Sequence, residues 1–149
     1  MALSVAINGF GRIGRMVLRA GLGNDQIEFV AVNDLTDAAT LAHLLKYDSV
    51  HGIFPGDVTV EGDGMNVGRG PIKVTAERDP TKLPWKDLGV DVVWECTGIF
   101  TAKEKAEVHG KAEARRAVLL GFVALVMAGG RVVQAEGEMA SAAQEAARA

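Results

Sequence analysis

Apolar residues in this chain change their spacing several times, and each change marks a new element. Residues 4–7, Ser4-Val5-Ala6-Ile7, form a short apolar run that predicts a buried strand. After a glycine-rich break, Ile13, Met16, Val17 and Ala20 recur at i, i+3, i+4 and i+7, which predicts one face of a helix. Residues 27–33 read as a second strand. Residues 37–45 read as a second helix, with Ala38, Leu41, Ala42 and Leu45 on one side.

Residues 52–77 have a different texture. Val58-Thr59-Val60 alternates, Glu61-Gly62-Asp63-Gly64 turns, and Met65-Asn66-Val67 returns. Gly68-Arg69-Gly70-Pro71 then turns again into Ile72-Lys73-Val74, so an antiparallel meander is predicted here. Arg69 and Lys73 read as solvated surface charges. Pro80 and Pro84 bracket a linker into a short helix near residues 85–88, and residues 90–94 form the next strand. Thr101 and Glu104 have the spacing of a capping box, opening a helix to about His109. Alternating strands and helices with one such insertion predict an α/β fold: a Rossmann-like, doubly wound, mainly parallel sheet with a small antiparallel insertion at about residues 52–77.

Composition narrows the picture. At 149 residues there is room for one domain with a real core. The 16 basic and 19 acidic residues show no basic excess, which argues against nucleic acid as a partner. The longest apolar run, residues 117–128, is interrupted by Gly121 and too short to span a bilayer. No signal peptide is evident at the N-terminus, so a cytoplasmic protein is expected. The single cysteine, Cys96, excludes an internal disulfide.

Candidate chemistry lies in the first break. Gly9-Phe10-Gly11-Arg12-Ile13-Gly14 joins the first strand to the first helix, and Asp34 closes the second strand twenty positions after Gly14. That context makes a G-x-G-x-x-G string a dinucleotide fingerprint. Gly9 permits the tight turn, Gly11 lets the backbone approach a pyrophosphate, and Gly14 lets the helix press against the sheet. The diphosphate then meets unpaired N–H groups at the helix start. Asp34 can accept hydrogen bonds from a ribose and would repel a 2′-phosphate, so NAD is favoured over NADP. Thr97 and Gly98, after the 90–94 strand, fall on the same sheet edge.

Two other residues have ordinary readings. His43 lies near the stripe of its helix with no second metal-type residue at i+4, so it reads as a packing or surface residue, and no metal site is expected. Cys96 has Glu95 and Thr97 as neighbours, and a carboxylate raises a thiol pKa. It reads as a small packing residue, and no catalytic residue is assigned.

Several strings resemble phosphorylating glyceraldehyde-3-phosphate dehydrogenases over about residues 3–110. They are the run from Val5 through Asn8 to Arg15, Ala31-Val-Asn-Asp34, Leu45-Lys-Tyr-Asp-Ser-Val-His-Gly52, Val74-Thr-Ala-Glu-Arg-Asp-Pro80 and Glu95-Cys-Thr-Gly-Ile-Phe100. The related erythrose-4-phosphate dehydrogenases share most of them. The resemblance implies that Asn8, Gly9, Phe10, Gly11, Arg12, Ile13 and Gly14 cradle NAD, with Arg12 and Ile13 offering backbone amides to its pyrophosphate. It also implies that Asn33 and Asp34 hold the adenosine ribose, Arg78 sits beside the adenine, and Thr97, Gly98 and Phe100 line the cleft.

The likeness stops beyond residue 110. Glu113 stands where the family has a turn glycine, and Leu120 where it has a hydroxyl that contacts NAD. The last 29 residues hold nine alanines and no cysteine, histidine or aspartate. They read as an apolar run, a Gly129-Gly130 break, a short Arg131-Val132-Val133 strand and an Ala-rich helix from about Glu138. The expected division is residues 1–120 as an incomplete dinucleotide-binding domain and 121–149 as a divergent tail, with the catalytic domain and most of the family's homotetramer interface absent. The nucleophile motif is missing, so an aldehyde substrate is expected only if a catalytic domain is supplied. The alternatives are an autonomous NAD-responsive module whose tail docks a partner, or an erythrose-4-phosphate dehydrogenase-like fragment.

Overall fold

The computed structural model describes residues 1–99 and the strand at 116–119. The helix predicted from Thr101 to His109, Glu113, Leu120 and the tail lie outside the described residues. Seven strands form one sheet in the order β5-β6-β7-β2-β1-β8-β9. Its parallel centre comprises β1 (Leu3–Asn8), β2 (Ile27–Asn33), β7 (Pro71–Thr75), β8 (Val92–Glu95) and β9 (Arg116–Leu119). Two short strands, β5 (Thr59–Glu61) and β6 (Gly64–Asn66), extend it antiparallel at one edge.

The meander predicted from residue 52 therefore begins later. Gly52–Ile53 (β4) pairs instead with Tyr47–Asp48 (β3) as a separate two-stranded ribbon. Asp48 holds its turn, accepting from the backbone N–H groups of Val50 at 2.8 Å and His51 at 2.7 Å. Those bonds lower its carboxyl to about 2. At the outer edge, β5 is flanked by exposed Asp57 and Asp63 and carries Glu61, charges that discourage pairing with another chain.

Two helices, α1 (Arg12–Gly21) and α2 (Ala38–Lys46), cover one face of the sheet. In α2 the predicted stripe of Ala38, Leu41, Ala42 and Leu45 is buried, and Asp37 caps the helix by accepting from Thr40 N. In α1 the buried stripe is turned by one position from the predicted one. Gly14, Val17, Leu18 and Gly21 face the sheet, while Ile13, Met16 and Ala20 are half-buried. Glycine sets this orientation: a Cβ on Gly21 would lie 2.6 Å from Cζ of Phe29, so backbone itself rests on that ring. Phe29 in turn meets Trp94 edge-on, with centroids 6.0 Å apart.

The opposite face is covered by the segment between β7 and β8. Trp85 is fully buried there with Leu83 and Val90 against Ala6, Ala31 and Val93, the small alanines leaving room for the indole. The short helix predicted at 85–88 is instead a pair of turns, closed by Leu88 N on Pro84 O and Val90 N on Trp85 O. The helical turn lies earlier, at Pro80–Lys82, where Asp79 accepts from Thr81 N. Driving Trp85 into the sheet takes priority over continuing a helix.

The glycine contact can be checked directly. Gly21→Ala should cost about 1–3 kcal/mol by overpacking against Phe29. Gly23→Ala, where a Cβ meets nothing within 4 Å, should be neutral or stabilising by about 0.4–1 kcal/mol. Urea denaturation of both variants gives the comparison, and equal stabilities would refute this account of α1.

Candidate functional site

Register brings the candidate residues together. Asn8 ends β1 opposite Asn33 of β2 and Glu95 of β8, and Asn33 lies opposite Thr75 of β7. Four parallel strands thus release their loops along one sheet edge. These loops carry Gly9–Gly11, Asp34, Arg78 and Thr97-Gly98.

The fingerprint glycines have different reasons to be glycine. Gly9 has φ +91°, and a Cβ on it would fall 2.7 Å from the backbone nitrogen of Thr97. Its own N–H donates to Asn33 O at 2.8 Å. A Cβ on Gly14 would lie 2.2 Å from the carbonyl oxygen of Gly9, which presses the helix against the loop. Gly11 is different: its φ is −71°, and a Cβ there would meet nothing within 4 Å. The fold does not require glycine at that position.

Gly11 is also the N-cap of α1, with no side-chain capping bond and no acidic residue in the first turn. The leading amides of the helix have no intrahelical acceptors, and the helix dipole adds to their positive potential. Arg12 is exposed beside them and Ile13 half-buried. This is a place for an anion.

Asp34 sits across from the loop, half-buried. Its Oδ2 accepts from Phe10 N at 2.8 Å and its Oδ1 from Thr36 N at 3.2 Å, leaving further lone pairs on both oxygens. Phe10 faces inward: its ring is fully buried, and its carbonyl accepts from Nη1 of Arg15 at 3.1 Å. Arg15 is itself largely buried, which lowers its guanidinium pKa. Asn8 and Asn33 are buried too, with side chains hydrogen-bonded to each other at 2.8 Å. All three frame the loops from inside.

Arg78 is exposed just past β7, and Gly98 is exposed past β8. Thr97 is half-buried, its N–H donating to Oε1 of Glu95 at 2.8 Å and its hydroxyl bonded to the same oxygen. Phe100 lies outside the described residues. Two exposed apolar residues on this edge escaped sequence reasoning, Leu35 after Asp34 and Ile99 after Gly98. Their signal was only position, directly following a strand end that carries a site residue.

Cys96 is buried, its N–H donating to Asn8 O, and burial followed by the neighbouring Glu95 charge pushes its thiol well above the usual range. His43 is exposed on α2, its ring 4.9 Å from that of Tyr47. Among the described residues no group of three His, Cys, Asp or Glu could hold a metal ion. Nor is any helix there long and apolar enough to cross a membrane.

A sequence model of the family described as glyceraldehyde 3-phosphate dehydrogenase, NAD binding domain, matches residues 3–103. The chain belongs to this family. It is 60% identical over 121 residues to a glyceraldehyde-3-phosphate dehydrogenase of Xanthobacter flavus, an alignment covering 80% of this chain and 36% of that protein. The enzyme of that name from Geobacillus stearothermophilus is 57% identical over 119 residues, with the same coverage of both chains. That of Thermotoga maritima is 59% identical over 117 residues, covering 77% of this chain and 35% of its own. The chain thus spans about a third of the length of the curated relatives it matches. What it holds is the family's cofactor domain, and the cofactor is NAD.

The state of Cys96 gives a measurable consequence. A thiol whose pKa is raised in the folded chain contributes stability below the unfolded value of about 8.5, and loses it as pH climbs above that. Alkylation by iodoacetamide should be slow in the native chain and show none of the rise between pH 7 and 10 seen in urea. A native rate rising with pH like that of the unfolded chain would contradict the buried setting.

Proposed function

We propose that NAD lies along this sheet edge with its pyrophosphate on the amides of Arg12 and Ile13. In this reading Asp34 holds the adenosine ribose, Arg78 and Leu35 border the adenine, and Thr97 and Gly98 border the nicotinamide half. Gly11 carries the reading. Its φ and its open surroundings leave no steric reason for glycine, whereas a backbone approached closely by a ligand supplies one. The uncapped start of α1 supports it, since anions belong there.

Bound NAD supplies a hydride acceptor. The chain's own residues bind and orient it, and oxidation of an aldehyde needs a catalytic thiol as well. Cys96 is the only cysteine and is buried with a raised pKa, so no turnover is expected from these 149 residues alone. An aldehyde becomes a substrate only where a catalytic domain is supplied. A cytoplasmic location, without nucleic-acid or membrane partners, goes with this reading; the near balance of 16 basic and 19 acidic residues argues against nucleic acid.

Titration of the labelled chain with NAD, followed by amide NMR shifts, tests the assignment. Saturable shifts confined to residues 9–14, 34–36, 77–78 and 97–99 are expected. Shifts elsewhere, or no saturation by NAD or ATP at millimolar ligand, would overturn it. Gly11→Ala should weaken NAD binding by roughly tenfold or more while costing the fold no more than the roughly 1 kcal/mol of a poorer N-cap.

Asp34→Asn separates two roles of one side chain. It keeps an oxygen for Phe10 N but removes the charge, so the preference for NAD over NADP should narrow by about tenfold. An unchanged ratio, measured by competition binding, would remove Asp34 from the ribose.

A further inference from the structure

A buried chain of side-chain hydrogen bonds crosses the sheet beneath this edge, and it has a direction. At one end, Glu77 N donates to Oδ1 of Asn33 at 2.9 Å, and Glu77 O accepts from Nδ2 of Asn33 at 2.9 Å. A backbone N–H can only donate and a carbonyl can only accept, so the Asn33 amide fits one way round. Its oxygen also accepts from the Thr75 hydroxyl at 2.8 Å, and its second N–H reaches Oδ1 of Asn8 at 2.8 Å. Asn8 is thereby oriented as well, and its Nδ2 donates to Oε2 of Glu95 at 2.7 Å. The other oxygen of Glu95 takes the N–H and hydroxyl of Thr97.

Asn8, Asn33 and Glu95 are 3%, 5% and 1% exposed, so water cannot readily substitute for a missing partner. Glu95 enters this chain as an acceptor, Oε2 from Asn8 and Oε1 from Thr97. Read from either end, the order of donors and acceptors is the same, and a change at one end must be passed along or leave buried groups mismatched.

We propose that Glu95 is a positioning residue for the far end of the cleft: across β1 and β2, its carboxylate fixes the amide order of Asn8 and Asn33 and so holds the Glu77 backbone, with Arg78 beside it. The consequence for a ligand rests on the NAD reading above. The relay itself does not.

Swapping acid and amide tests it. In Glu95→Gln, keeping the carboxamide oxygen on the N–H and hydroxyl of Thr97 sets its NH2 against the NH2 of Asn8. Flipping both asparagines would relieve that clash only by setting an NH2 against Glu77 N and an oxygen against Glu77 O. Adding Asn8→Asp restores the order: the carboxamide at position 95 donates to the carboxylate at position 8, which still accepts from Asn33. The readouts are the amide exchange rate of Glu77 and the affinity of the full chain for AMP. Glu95→Gln should speed Glu77 exchange by about tenfold and weaken AMP several-fold, and the double swap should return both to within about twofold of the parent.

Loss of packing at position 95 would not be repaired by Asn8→Asp, so rescue separates the relay from packing. Should Glu95→Gln fail to fold while the double swap folds, the rescue is itself the expected result. The proposal falls if Glu77 exchange and AMP affinity stay at parental values in Glu95→Gln. It also falls if the double swap is as perturbed as the single change, if neither variant folds, or if Glu77 loosens without any change in AMP affinity. A parent chain that binds neither AMP nor NAD would remove the NAD reading, while Glu77 exchange would still decide the relay.

Discussion

The site exists because backbone meets backbone where side chains would not fit. The carbonyl of Gly9 lies where a Cβ of Gly14 would be, and the backbone of Thr97 lies where a Cβ of Gly9 would be. These two contacts bring the start of α1, the β1–α1 loop and the β8 loop to one place. Packing this close is set by volume alone and leaves little room for adjustment. A methyl group at either position would separate loops that carry Gly11, Arg12 and Thr97. The orientation of α1 follows from the same constraint, since Gly21 at its other end rests on Phe29.

Such closeness at a sheet edge has an electrostatic cost, because strand ends bring backbone polar groups and side chains into the interior together. The chain meets it by spending polar side chains internally. Asn33 uses both hydrogens and both lone pairs of its amide on protein partners. Each bond contributes modestly on balance, but an unmade one would cost the full desolvation of its group. Buried amides at the ends of β1 and β2 therefore serve the uniqueness of the loop arrangement as much as its stability.

Much of this was legible in the residue order, and the exceptions share a cause. Strands β1, β2 and β5 to β8, the face of α2 and the ordinary character of Cys96 follow from periodicity and neighbours, whereas the β3–β4 ribbon does not. The face of α1 does not, because counting apolar side chains gives no weight to Gly14 and Gly21, whose contribution is the volume they lack. The segment at 85–88 fails to become a helix because Trp85 finds a pocket over Ala6 and Ala31, residues more than fifty positions away. Asn8, Asn33 and Glu95 read from sequence as a site residue, another site residue and a bystander. Their association depends on parallel register, which pairs positions 25 and 87 residues apart.

Asp34 shows how the two kinds of constraint converge on one side chain. One of its oxygens already holds Phe10 N, and its own N–H donates to Thr75 O. The carboxylate is therefore oriented by the fold before any ligand arrives, and its remaining lone pairs are aimed without further loss of side-chain freedom. Binding affinity is limited by what must be ordered on association, so a preoriented acceptor gains over a mobile one even when both make the same bonds. The same bond ties the carboxylate to the loop: any residue at position 34 that could not accept from Phe10 N would disturb the turn leading to Gly11. The orientation of this carboxylate is thus set by the interaction that closes the glycine loop.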